Sequence, residues 1–303
     1  MRISSALNLV RRGGRALCAG LVVLAACGGG TSQIEPFVPR QIILLGDESA
    51  VLTADAKNYS INALATTTTI NCSGLPIWTH QLVSRFGMVL DRCNASNAAA
   101  LGITRGAPGA KSADIEAQIS AQFNAESPTT KDLFLIMVGL HDIIERFEAG
   151  ADCGDAELRA RGTGVAAQIN RLAAAAARTI VVTVHDVGLT PYALSRGAGA
   201  RLTCLTADFN ARLRVDILQD GRFIGLVLAD DMTIAATRNP ANFGLLNVTD
   251  AACTAALPDC TTATLVPGAT HETYLWSDDR HLGPVAHNYI ASFADQRARN
   301  NPF

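Results

Sequence analysis

Five short apolar runs punctuate this sequence, and helical periodicity fills the gaps between them. The runs are Ile42–Leu45, a weaker one near Met88–Leu90, Leu133–Val138, Thr179–Val184 and Phe223–Leu228. They lack strict alternation, as strands buried on both faces do. Between them, Ile115, Ile119 and Phe123 recur every four residues. Val165, Ile169 and Leu172 share a face in an Ala-rich stretch ending near Arg178, and Phe209, Leu213 and Ile217 do the same. Strands alternating with helices imply right-handed βαβ units and a mostly parallel sheet. The expectation is therefore an α/β chain, folded as a three-layer α/β/α sandwich. No internal repeat interrupts it. Asn239–Thr270, rich in Asn, Thr, Pro and Cys without periodicity, reads as a long loop.

The chain has 303 residues and a net charge of −2. That length suits one domain of about 250 residues behind a leader, with two small domains as the alternative. An apolar share of 49 % is ample for a large core and argues against global disorder. The near-neutral balance, without any Lys/Arg run, argues against nucleic acid as a partner.

The N-terminus reads as an export signal. Arg2, Arg11, Arg12 and Arg15 form a positive region ahead of the apolar stretch Ala16 to Ala26. That stretch is shorter than the about 20 residues a membrane span needs. It ends in Leu24-Ala25-Ala26-Cys27, which resembles a bacterial lipobox. The resemblance implies cleavage before Cys27 and lipid on its thiol, with an ordinary secretory signal as the alternative. Residues 1–26 are then a signal peptide, 27–40 a tether containing Gly28-Gly29-Gly30, and 41–303 the folded domain. Gly28, rather than Asp, after the lipidated cysteine favours the outer membrane by analogy with bacterial lipoproteins.

Cysteine usage agrees with export. Beyond Cys18 and Cys27, six remain: Cys72, Cys93, Cys153, Cys204, Cys253 and Cys260. An even set in an exported chain suggests disulfides, although six cysteines allow about 15 pairings. Sequence proximity favours Cys72–Cys93, Cys153–Cys204 and Cys253–Cys260. A metal site is the rival, but no C-x-x-C and no His at ligand spacing supports one.

Two stretches could carry chemistry. Gly46-Asp47-Glu48-Ser49 breaks the first apolar run and brings polar groups to a strand's carboxyl end, where sites of open α/β sheets collect. Near the other terminus, Asp278-x-x-His281 lets a short loop set a carboxylate against one imidazole nitrogen, leaving the other for a nucleophile. His80, His185, His271 and His287 have no partner pattern and read as structural. Glu145, Arg146 and Glu148 read as a solvated helix face.

Around these stretches the chain resembles the GDSL or SGNH hydrolases. YLWSDDRHLGPVAH is similar to their last block, and LGDES to their first. PIWTHQLVSRFG (Pro76–Gly87) looks like their early helix, RGAPGAKSADIEAQI (Arg105–Ile119) their glycine block, and MVGLHDI (Met137–Ile143) their G-x-N-D block. VHDVGLTP, LTADFNARL and NPANFGLLNVTDAAC look like the lipase branch. The resemblance covers about residues 41 to 297. It implies Ser49 as nucleophile, His281 as general base and Asp278 as its orienting partner. For the oxyanion hole it implies Gly109, with Gly106 as second choice, and His141 at the asparagine position; His141 as a merely hydrogen-bonded core residue stays open. No metal or cofactor is implied. The substrate would be an ester, of a lipid or of an acylated small molecule or glycan.

The chain departs from the family at two places. The family reads Gly-Asp-Ser, whereas here Glu48 stands in the serine's place and Ser49 comes one residue late. A one-residue slip in extended chain turns a side chain to the other face, so Ser49 serves only if the turn bulges. His141 replaces the asparagine; a neutral imidazole N–H can still donate. Two functions follow: an exported lipoprotein esterase or lipase working through an acyl-serine, or a catalytically silent member that binds an acyl, glycan or protein ligand.

Overall fold

Ile42 to Leu45 form a strand because both of its faces have helices to pack on. All four side chains are fully buried, and they divide by parity. Ile42 and Leu44 join one apolar cluster with Trp78, Leu82, Met232 and Ile290. Ile43 and Leu45 join another with Ile115, Ile119, Ile169 and Phe209. The result is a layer of helices on each side of one sheet, the α/β/α sandwich expected from the strand–helix alternation.

The computed structural model describes residues 36–300 and 303; the leader and Cys27 lie outside them. In chain order the elements begin with β1 (Gln41–Gly46), β2 (Ala63–Leu64), β3 (Ile70–Asn71), α1 (Trp78–Arg85) and β4 (Gly102–Thr104). There follow α2 (Ile115–Ala125), β5 (Asp132–Met137), α3 (Leu140–Glu148), α4 (Ala156–Ala174) and β6 (Arg178–Val182). The remainder is α5 (Pro191–Ser195), α6 (Gly199–Asp216), β7 (Ile224–Val227), α7 (Ala229–Arg238), β8 (Asn247–Ala251), β9 (Tyr274–Trp276) and α8 (Pro284–Asn300). The main sheet has the order β4-β1-β5-β6-β7 and is parallel throughout. Phe37–Phe303 form one compact unit around it.

The chain departs from expectation in three places. Near Met88–Leu90 only Leu90 makes a bridge, to Gly102, and the edge strand is Gly102–Thr104. A three-residue edge strand containing Gly has too little apolar pattern to show in sequence. The Asn239–Thr270 stretch is not all loop. It holds a 3-10 turn at Pro240–Phe243 and β8, which pairs parallel with β9. Glu145, Arg146 and Glu148 form more than a solvated face. Arg161 bridges Asp142 and Glu145, Arg146 pairs with Asp155, and the Tyr192 hydroxyl donates to Glu148.

Three disulfides join Cys72 to Cys93, Cys153 to Cys204 and Cys253 to Cys260, the pairing favoured by proximity. Their Cα–Cα distances of 5.9, 5.5 and 5.9 Å are ordinary for bridged cysteines. No described helix is long and apolar enough to cross a membrane.

Candidate functional site at the strand ends

Gly46 ends β1 with φ +109°, a conformation that favours glycine. A Cβ there would lie 1.9 Å from the Met137 carbonyl oxygen, so only glycine lets β1 run this close to β5. The Asp47 N–H then donates to that carbonyl, and Asp47–Ala50 closes a tight turn through Ala50 N–H to Asp47 O at 3.0 Å. The turn is tied to α1: the Trp78 indole donates to the Ser49 carbonyl at 2.9 Å and the Thr79 hydroxyl to the Ala50 carbonyl at 2.7 Å.

This turn carries Glu48, not Ser49, into the site. Glu48 Oε1 accepts from His281 Nε2 at 3.0 Å and from His141 Nε2 at 2.6 Å. Its Oε2 accepts the backbone N–H of Gly109 at 2.7 Å. The place beside His281 that the family resemblance gives to Ser49 is therefore filled by Glu48. The reason is the length of the turn: it adds no bulge to absorb the extra residue, so Ser49 follows one position late. The Ser49 N–H folds back onto Asp47 Oδ1 at 2.9 Å, and the residue does not line the adjoining pocket.

Asp278 and His281 are brought together as their spacing suggested. His281 Nδ1 donates to Asp278 Oδ2 at 2.8 Å, while Asp278 Oδ1 accepts the backbone N–H groups of Arg280 and His281. The loop is held from several sides. The His281 carbonyl accepts from Ser277 N–H, and His185 Nε2 bonds the Arg280 carbonyl at 3.0 Å. Beneath it His185 and His287 are fully buried, and burial pushes them down to about 4 and about 3, so both are neutral at ordinary pH. His141 reaches the site from the first turn of α3. Gly139, at φ +127°, begins that helix where a Cβ would meet the Phe209 ring at 2.5 Å.

The electrostatics follow from these contacts. Burial pulls the His281 imidazole down, but its bonds to Asp278 and Glu48, and their charges, outweigh that and raise it to about 9. Burial pushes Glu48 up, yet the hydrogen bonds and charges of His141 and His281 hold it well below the usual carboxylate range. The Glu48 hydrogen bond raises His141 against its own burial. Asp47, buried beside Glu48, is pushed up to about 7 despite the pull of His141 and hydrogen bonding by Ser49. At neutral pH both ring nitrogens of His281 carry protons and face carboxylates. In this state it has no lone pair with which to act as a base.

An open pocket of about 710 Å³ lies over the cluster. Tyr59, Pro108, Arg280 and the segment Cys253–Leu257 wall it, and the Cys253–Cys260 bridge anchors that segment. The Tyr59 ring lies 5.7 Å from that of His281. Sequence reasoning missed Tyr59 and this wall because neither carries a motif; only the fold brings them over Glu48. Among the described residues no cluster of three or more His, Cys, Asp or Glu side chains is arranged for a metal ion.

No family model matches this chain, and no curated protein matches it. Among solved structures it is similar to a member of the lipolytic protein G-D-S-L family from Veillonella parvula. The TM-score is 0.42 and the identity 11 %, over 84 % of this chain and 95 % of that one.

Proposed function

We propose that this chain is an exported lipoprotein, anchored through Cys27 at the outer membrane, with an SGNH-type site that binds an ester, acyl or glycan ligand without acyl-serine turnover. The observation that carries this reading is the double engagement of His281, whose Nδ1 donates to Asp278 and whose Nε2 donates to Glu48. A serine hydrolase needs that second nitrogen free to take a hydroxyl proton. The carboxyl group of Glu48 also fills the oxyanion seat, since Gly109 N–H already donates to it. The site therefore resembles a hydrolase holding its own carboxylate product.

The rival reading, an esterase with Ser49 as nucleophile, draws on the Asp278–His281 pair and the Gly109 N–H. It needs the 47–50 turn to open by one residue. A fluorophosphonate probe and a panel of short-chain esters separate the two. The binding reading expects no label and no turnover in the wild type. It expects Glu48→Ser, which sets a hydroxyl beside His281 and releases the imidazole from a carboxylate, to gain both. Label on Ser49 of the wild type would establish the esterase instead.

A further inference from the structure

We infer that Glu48 is itself a nucleophile toward the strained carbon of an epoxide, and that the groups around it hydrolyse the glutamyl ester so formed. This rests on the reading that Glu48, rather than Ser49, occupies the seat beside His281.

Two groups flank the Glu48 carboxyl carbon. One oxygen lies 2.7 Å from the Gly109 amide nitrogen; the other is within 3.0 Å of an imidazole that Asp278 orients. An ester being hydrolysed needs that environment: an N–H where oxyanion charge develops, and an imidazole beside the bond that breaks. A free carboxylate is held ionised by these donors but has no bond for them to hydrolyse. An ester carried on Glu48 would have one. Carboxylate side chains form such esters by attacking saturated carbon, and the pocket above Glu48 is open to a small electrophile.

The steps balance without any group beyond water. Glu48 Oε1 attacks one epoxide carbon, forming a C–O bond and breaking the ring C–O bond. The ring oxygen takes the Nε2 proton of His281, which leaves that imidazole neutral and Glu48 uncharged. Esterification thus removes one of the two carboxylates that held the proton on His281, and Asp278 keeps the ring oriented. His281 then takes a proton from water, whose oxygen adds to the carboxyl carbon while Gly109 N–H stabilises the charge on Oε2. Collapse breaks the bond from the carboxyl carbon to Oε1. The departing oxygen accepts the proton back from His281, with His141 Nε2 placed to donate a hydrogen bond to it. A diol leaves, and the Glu48 proton returns to His281.

The route has a signature that simple attack of water on the epoxide lacks, since the water oxygen ends up in the enzyme. Purified mature chain is given styrene oxide in water labelled with heavy oxygen for a single turnover. Heavy oxygen is expected in the peptide containing Glu48, and the first diol is expected without it. Glu48→Gln should abolish both. His281→Gln should form the ester more slowly, the epoxide oxygen then drawing a proton from water, and should hydrolyse it more slowly still, so that a stoichiometric styrene oxide adduct accumulates on Glu48. Absence of heavy oxygen from Glu48 in the wild type overturns the inference, as does an adduct spread equally over exposed carboxylates. The wild-type measurement needs no variant to fold. Fluorophosphonate labelling of Ser49 would instead show that the seat itself is misassigned.

Discussion

His281 Nε2 donates to Glu48 Oε1 at 3.0 Å across 233 residues of chain. This bond joins the first strand's end to the last loop and leaves the imidazole between two carboxylates. It also helps to raise the His281 imidazole and to hold Glu48 ionised.

The His281 imidazole is expected to stay protonated to about pH 9 when followed by NMR. Glu48→Gln should move its titration midpoint downward, since only Asp278 then remains as a charged partner. A folded value above the ordinary 6.5 means stability that is fully present below pH 6.5 and lost as pH rises through about 9. The variant should lose less stability over that window than the wild type. An unchanged midpoint in Glu48→Gln would contradict the contact.

Asp47 gives a second lever of the same sign at lower pH. Its folded value of about 7 exceeds the ordinary 3.8, so its contribution is fully present below pH 3.8 and lost as pH rises to about 7. Asp47→Asn keeps an oxygen for the Ser49 N–H and carries no charge. It should be more stable than the wild type at pH 8 and show little of that gain near pH 4. Urea unfolding at the two pH values measures both.

The bridges predict a ranking. In the chain-entropy model, the cross-link between Cys153 and Cys204, 51 residues apart, is worth about 4 kcal/mol. That between Cys253 and Cys260, only 7 apart, is worth about 2.5 kcal/mol. Paired Cys→Ser variants should follow that order in denaturant unfolding. Losing the shorter bridge should also weaken ligand binding, because it anchors a wall of the pocket. Thiol titration of the denatured, unreduced mature chain should find no free group among the six.

The proposed anchor is checked by mass spectrometry of the mature N-terminus. Lipid is expected on Cys27, and Cys27→Ala should move the protein from the membrane to the soluble fraction. An unmodified N-terminus at another position would replace the lipoprotein reading with an ordinary secretory one.

Sequence alone determined the layer architecture of this protein. Alternating apolar runs and helical periods can bury themselves in few ways, and Ile42–Leu45, Leu133–Val138 and Thr179–Val184 became neighbouring parallel strands. It also offered the Asp278–His281 pair, because three residues of loop suffice to join them. The tertiary structure alone decided which side chain meets His281. Whether Glu48 or Ser49 does so depends on the backbone turn after Gly46, which Met137 and Trp78 constrain from distant parts of the chain. Local patterning has no access to those contacts. The full protonation of His281 was hidden in part for the same reason: to the pull of nearby Asp278 it adds that of Glu48, a carboxylate 233 residues away that only folding brings within hydrogen-bonding reach.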